Sequence, residues 1–164
     1  MFLRPALPQD ALEVARVHVR SWQAAYRGLL PQSYLDELRP EDRAKAYDFS
    51  TDDPLLPRTV VALDDGNIRG FATTRLLPAV GSGELCALYI DPENWGRRIG
   101  VALIEAARSN LLSLGAHNAS LWLLAGNQRA EKFYRADGWS TDGVPREETL
   151  WGIKLEEILY QRKL

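Results

Sequence analysis

Sulfur is nearly absent from this chain, which has one cysteine, Cys86, and one methionine among 164 residues. A lone cysteine closes no internal disulfide, so a disulfide-stapled secreted scaffold is excluded. Histidine is almost as scarce. His18 and His117 lie far apart, no Cys/His spacing suits a metal ion, and no metal is expected. A basic excess is missing as well. Twenty Lys and Arg face 22 Asp and Glu, for a net charge of -2. Nucleic-acid binders carry the opposite balance, so no nucleic-acid partner is expected. No apolar run approaches the roughly 18 residues of a membrane span. Met1 to Pro8 lacks the apolar stretch behind a basic segment that marks a signal peptide. The expectation is a cytoplasmic protein with no membrane partner.

What is present is ordinary globular material, 46% hydrophobic and 26% charged. The length suits one domain, residues 1–164, with a real core. Phe2 to Ala6 reads as a strand. Asp10 is a plausible N-cap for a helix from Ala11 to Tyr26, where Leu12, Ala15, Val19, Trp22 and Tyr26 recur at spacings of three and four. Gly28 and Pro31 end it. Short helices are predicted over Pro31 to Leu38 and Glu41 to Tyr47, then a loop from Ser50 to Pro57. Thr59 to Leu63, Ile68 to Leu77 and Glu84 to Ile90 form an antiparallel meander, the first two joined by a turn at Asp64-Asp65-Gly66-Asn67.

The period then changes to helical, with Ile99, Leu103, Ala106, Ala107 and Leu111 on one face and Gly115 as the stop. An apolar strand, Ala119 to Ala125, and a helix, Asn127 to Ala136, follow. A charged loop around Arg146 to Glu148 and strands over Thr149 to Lys154 and Glu157 to Arg162 complete a mixed α/β order. No repeat or low-complexity segment interrupts it.

One segment carries chemistry. A strand ends at Ile90, and a helix opens near Gly96 in Trp95-Gly96-Arg97-Arg98-Ile99-Gly100-Val101. Free N–H groups and the helix dipole favour an anion there, Gly96 and Gly100 let a ligand approach the backbone, and Arg97 and Arg98 add positive charge. Alone, the segment is as consistent with a chance cluster as with a phosphate site. It is not a P-loop, since no Gly-Lys-Ser/Thr ends it, and the spacing is wrong for a dinucleotide fingerprint.

Together with Asn127-Gln128-Arg129-Ala130-Glu131-Lys132-Phe133-Tyr134-Arg135-Ala136-Asp137-Gly138-Trp139, that segment resembles the GCN5-related N-acetyltransferase (GNAT) family. The family's loop, Q/R-x-x-G-x-G/A, is matched with Trp95 in place of Gln or Arg and Arg98 in place of the middle Gly. The later pattern, N-x-x-A-x-x-F/L-Y-x-x-x-G-F, is met by Asn127, Ala130, Phe133, Tyr134 and Gly138, with Trp139 for Phe. Ser21 to Pro31 also looks like a subgroup of small acetyltransferases.

The resemblance implies a GNAT-like acyl-CoA N-acyltransferase fold, with a mixed central sheet, antiparallel N-terminal strands and flanking helices. It implies acetyl-CoA as cosubstrate, its pantetheine arm paired to Leu88 and Ile90 where two strands splay. Its pyrophosphate would sit on Gly96 to Val101 with Trp95 in the same loop, Tyr89 would line the cofactor's path, and Asn127 would contact the cofactor near the thioester arm. Arg98 would either clamp the pyrophosphate or crowd it. The partner would be an amine acceptor, small or peptide, and homodimers are common in such a family.

Transfer to an amine needs a neutral nucleophile and a proton for the leaving thiolate. By resemblance Tyr134 is the general acid; by spacing alone it is a core tyrosine. Glu84, ahead of an apolar strand, is the base candidate, directly or through water, against the reading of an exposed strand-start acid. Tyr89 is the weaker alternative. Trp22, Tyr26 and Tyr89 are candidate acceptor-pocket residues, although aromatics at helical spacing are commonly core. His18 and Cys86 read as buried structural residues. The main rival to an enzyme is a sensor that holds CoA or an acyl-CoA without transferring acetyl, and the altered loop motivates it.

Overall fold

The computed structural model describes residues 1–164. Strand β1 (Phe2–Pro5) is followed by helix α1 (Ala11–Ala25), the short helices α2 (Gln32–Glu37) and α3 (Pro40–Ala44), and the meander β2 (Arg58–Asp64), β3 (Asn67–Leu76) and β4 (Ser82–Ile90). Helix α4 (Ile99–Ser113), β5 (Asn118–Leu124), α5 (Gln128–Ala136), β6 (Pro145–Leu150) and β7 (Ile153–Lys163) complete the chain. The seven strands form one sheet in the order β1-β2-β3-β4-β5-β7-β6. Every neighbouring pair is antiparallel except β4 and β5, which α4 joins as a crossover. This is the mixed α/β sheet with flanking helices that the resemblance implies.

Alternation along the strands sorts the core onto two faces. In β2, Ala62 packs with Leu103, Ile104 and Leu111 of α4, while Val61 and Leu63 pack with Val14 and Val17 of α1. The buried face of α1 is wider than a single stripe, with Val14, Ala15, Val17, His18, Val19, Ser21 and Trp22 all enclosed. Helix α3 packs against α1, and the rings of Phe71, Tyr89 and Trp151 surround His18. Asp10 occupies the position before α1, but its carboxylate turns back to accept from Leu7 N–H (2.8 Å) and to pair with Arg4 (2.6 Å).

Three expectations change. The turn of the last hairpin lies at Trp151-Gly152, both with left-handed φ (52° and 77°), not between Lys154 and Glu157. Arg146 to Glu148 are therefore strand, on the exposed edge strand β6, where solvent accepts charged side chains. Helix α4 opens at Ile99 rather than near Gly96, because Gly96 (φ 80°) and Arg98 (φ 64°) are both left-handed and neither can belong to a right-handed helix. Cys86 is exposed rather than buried. Thr73 pairs with Ala87 and Thr74 with Leu85, which leaves Cys86 without a partner as the extra residue of a β-bulge.

Candidate active site

The bulge at Cys86 explains the main feature of the site. A bulge bends its strand and increases its twist. Strands β4 and β5 pair only over Ser82–Glu84 and Asn118–Ser120, and beyond that point they separate. A cleft of about 350 Å³ opens between them. Asp91 N–H bonds Arg69 O at 2.8 Å, so by the alternation of the ladder Tyr89 and Asp91 turn their backbone toward β3, and Leu88 and Ile90 turn theirs into the cleft. The Ile90 carbonyl is already occupied, accepting from Ser21 Oγ (2.7 Å) and from the indole of Trp95 (3.0 Å). The free edge is thus the Leu88 backbone and the Ile90 N–H.

One end of the cleft is the start of α4. Its first helical bond runs from Ala102 N–H to Arg98 O (3.2 Å), so the N–H groups of Ile99, Gly100 and Val101 have no partner within the helix. Gly96, Arg98, Ile99, Gly100 and Val101 all line the cleft. A Cβ on Gly100 would meet Phe133 and Ile90 at 3.3 Å, so glycine allows α5 and β4 to close on this turn. Arg98 is exposed. Arg97 does not reach the cleft, since its guanidinium bonds Asn94 (2.9 Å) and pairs with Asp64 (3.1 Å). Trp95 braces the loop. Its ring also lies 3.3 Å beneath the guanidinium of Arg129, a second cleft residue that sequence reasoning missed.

The opposite wall comes from α5. Asn127 caps this helix, its side chain accepting from Ala130 N–H (3.2 Å), which fixes the register of the turns that follow. Tyr134 then points inward, 7% exposed, edge-on to Phe133 and Trp139. Burial pushes its hydroxyl well above the usual phenol range, so it stays protonated.

A second cavity, about 380 Å³, adjoins the cleft on the far side of β4 and β5. The two share Tyr26, Tyr89, Leu85, Cys86, Trp122 and Leu124. Trp22 and Glu84 belong to the second cavity only. Trp22 is 1% exposed, stacked on Trp151 at 4.2 Å and edge-on to Tyr26, so it is a core residue whose edge forms part of a wall. Glu84 is held by Arg75, whose nitrogens approach its Oε2 at 2.6 and 2.7 Å. His18 is buried against Tyr47, Tyr89 and Trp151 and faces neither space. Glu157, on β7 opposite Leu124, also lines the second cavity, and burial raises its carboxyl above the ordinary range. The alternation of Leu155, Glu156 and Glu157 places Glu157 on the inward side with Leu155. That signal is hidden once a turn is set between Lys154 and Glu157.

The family model described as "Acetyltransferase (GNAT) family" matches residues 19–139. An uncharacterized N-acetyltransferase of Archaeoglobus fulgidus is 31% identical over 143 residues, spanning 82% of this chain and 89% of its own. Another, YuaI of Bacillus subtilis, is 29% identical over 161 residues, 95% of this chain and 89% of its own. Among solved structures, PaiA N-acetyltransferase of Thermoplasma acidophilum, in complex with coenzyme A, superposes with a TM-score of 0.79 at 20% identity, covering 99% of this chain and 98% of its own. The match runs from α1 through the splayed strands to Trp139 and takes in both segments that line the cleft. This chain belongs to the acetyltransferase (GNAT) family and is an acetyltransferase.

Proposed function

We propose that the protein moves the acetyl group of acetyl-CoA directly to a primary amine, with both substrates bound at once. The observation that carries this reading is the pair of adjoining cavities, one on each side of the gap between β4 and β5, with Tyr134 at the wall of the first. The first has the donors a coenzyme A needs. Leu88 and Ile90 offer backbone groups to a pantetheine arm, and the N–H groups of Ile99 to Val101 suit a pyrophosphate. Tyr89 and Asn127 stand beside the thioester end. The coenzyme A held by PaiA N-acetyltransferase of Thermoplasma acidophilum supports the same assignment.

The second cavity takes the acceptor. Tyr26, Tyr89 and the edge of Trp22 are apolar walls, and the carboxylates of Glu148 and Glu157 draw a cationic amine. The amine lone pair attacks the thioester carbonyl, the C–S bond breaks, and Tyr134 donates its proton toward the leaving sulfur. A screen of amines for thiol release from acetyl-CoA tests the reading. The expected result is turnover with at least one amine class; tight CoA binding in calorimetry without turnover on any amine points to a sensor instead.

Arg98 is read as a clamp. It is exposed at the cleft, and no side chain of the protein neutralises it. Arg98→Gly is expected to weaken acetyl-CoA binding roughly tenfold, as for one lost charge-assisted contact. A left-handed non-glycine residue is strained by about 1–2 kcal/mol, so the same variant should not lower Tm. Unchanged affinity in calorimetry would remove Arg98 from the site.

A further inference from the structure

We propose that Glu157 is the catalytic base, taking the ammonium proton of the acceptor in the second cavity. The inference rests on the acetyl-transfer reading and assigns to one residue a role that Glu84 cannot fill well. Three carboxylates line that cavity: Glu84, Glu148 and Glu157. Glu84 is neutralised in place by Arg75, at 2.6 and 2.7 Å. Glu148 has a side chain 44% exposed and lies on the edge strand β6. Glu157 has a side chain only 11% exposed, and its nearest cation, Arg146, stands at 3.8 Å, beyond hydrogen-bonding distance. No protein group donates a hydrogen bond to it, and its open side is the cavity.

Its position also fits. Glu157 pairs with Leu124, at the end of the β5 segment that has parted from β4. Tyr26 and Tyr89 line both cavities, Tyr134 only the first and Glu157 only the second. Acid and base thus stand on opposite sides of a shared tyrosine wall. The charged and titratable groups facing Glu157 are Arg146 and Glu148 from β6, Arg75 from β3, Glu84, Cys86 and Tyr89 from β4, and Tyr26 from α1; β5 contributes none. Burial, opposed by Arg146 and reinforced by Glu148 and Glu84, raises its carboxyl above the ordinary range, which makes it a stronger base than a solvated carboxylate.

The protons balance. Two leave the nitrogen as R–NH₃⁺ becomes an amide. Glu157 takes the first, freeing the lone pair for the N–C bond, and later releases it to solvent. The second replaces the proton that Tyr134 gives to the sulfur as the C–S bond breaks.

The test compares Glu157→Gln and Glu84→Gln with the parent, using the alkyl amine of highest turnover in the screen and hydroxylamine, which is largely uncharged at neutral pH. Glu157→Gln is expected to lower kcat/KM for the alkyl amine about 100-fold or more at pH 7. The deficit should shrink as pH rises, because the free amine then forms without help. Hydroxylamine should be acetylated at about the parent rate, and the acetyl-CoA KM should not move. Glu84→Gln should keep the parent's pH profile.

A purely structural Glu157 would instead slow both nucleophiles equally. Stability gives an independent reading. A carboxyl whose folded pKa is raised costs stability when ionised, and that cost vanishes as pH falls below its unfolded value. Glu157→Gln should therefore have a Tm at or above the parent at pH 7, with the gain fading toward acid. Equal loss on both nucleophiles, an unchanged profile, or loss of the acid limb in Glu84→Gln would overturn the assignment. A parent that binds CoA and acetylates no amine would overturn the transfer reading itself, and this role with it.

Discussion

Tyr134→Phe is expected to lose most of its turnover, with kcat down by about two to four orders of magnitude and acetyl-CoA binding little changed. The substitution removes one oxygen and nothing else. The Tyr134 hydroxyl makes no hydrogen bond within the protein, so its loss leaves no orphaned partner, and the edge-on contacts with Phe133 and Trp139 survive in phenylalanine. The hydroxyl borders the open cleft and holds no protein group in place, so Tm should change little. Burial keeps this phenol protonated at neutral pH, which suits a donor to a thiolate and rules out a role as base. The check is steady-state kinetics beside calorimetry with CoA. A lowered kcat with unchanged affinity assigns the hydroxyl to the chemical step, whereas full activity removes Tyr134 from the mechanism.

Much of this site was legible in the chain, and the reasons differ from residue to residue. The Trp95 to Val101 loop and the Asn127 to Trp139 segment stood out through their match to the GNAT patterns, whereas the left-handed positions at Gly96 and Arg98 did not, so the helix start was set near Gly96. The order of strands and the crossover through α4 were readable from the change of period at Ile99. The gap between β4 and β5 was implied by the resemblance alone, and its cause was not readable. It depends on Cys86 being an extra residue in β4, and a bulge leaves the alternation of Leu85, Ala87 and Tyr89 looking like an ordinary strand. Arg97 could not be separated from Arg98 by sequence, because only the left-handed turn at Arg98 sends one into the cleft and the other to Asp64.

Glu157 was lost for a related reason. A tryptophan in a left-handed turn position is rare, so Trp151-Gly152 did not read as a hairpin turn, and the register of β7 went with it. Both misses are matters of pairing between segments, which no single window of sequence contains. Cys86 lines both cavities and Glu157 the second, so the parts of the site set by tertiary pairing are the parts that border the acceptor's cavity.

Phe71→Ala is expected to be the most destabilising change near the site, by about 3–5 kcal/mol. Phe71 is fully buried on β3, opposite Tyr89 of β4 in the ladder. Its ring lies 5.5 Å from that of His18, 5.7 Å from Tyr89 and 6.3 Å from Tyr47. Few routes exist to fill the void, because the C-terminal half of α1 is held at two points: Arg20 pairs with buried Asp91 at 2.7 Å, and Trp22 is stacked on Trp151. The cavity should therefore persist, and for a chain of this size the midpoint should fall by roughly 6–20 °C. Such a loss is a large fraction of the whole stability of a typical domain, about 5–15 kcal/mol. Tyr89 loses the ring behind it, and Tyr89 forms the wall shared by both cavities. Below the new midpoint, the KM of the acceptor should rise more than that of acetyl-CoA, because the acetyl-CoA loop is held by α4 and α5 on the other face of the sheet. Phe71→Leu, which refills most of the volume, should recover most of both effects. Thermal melts and paired KM measurements decide the matter: a Phe71→Ala midpoint within a few degrees of the parent would mean that α1 collapses into the void, and an equal rise in both KM values would mean that the sheet moves as a whole.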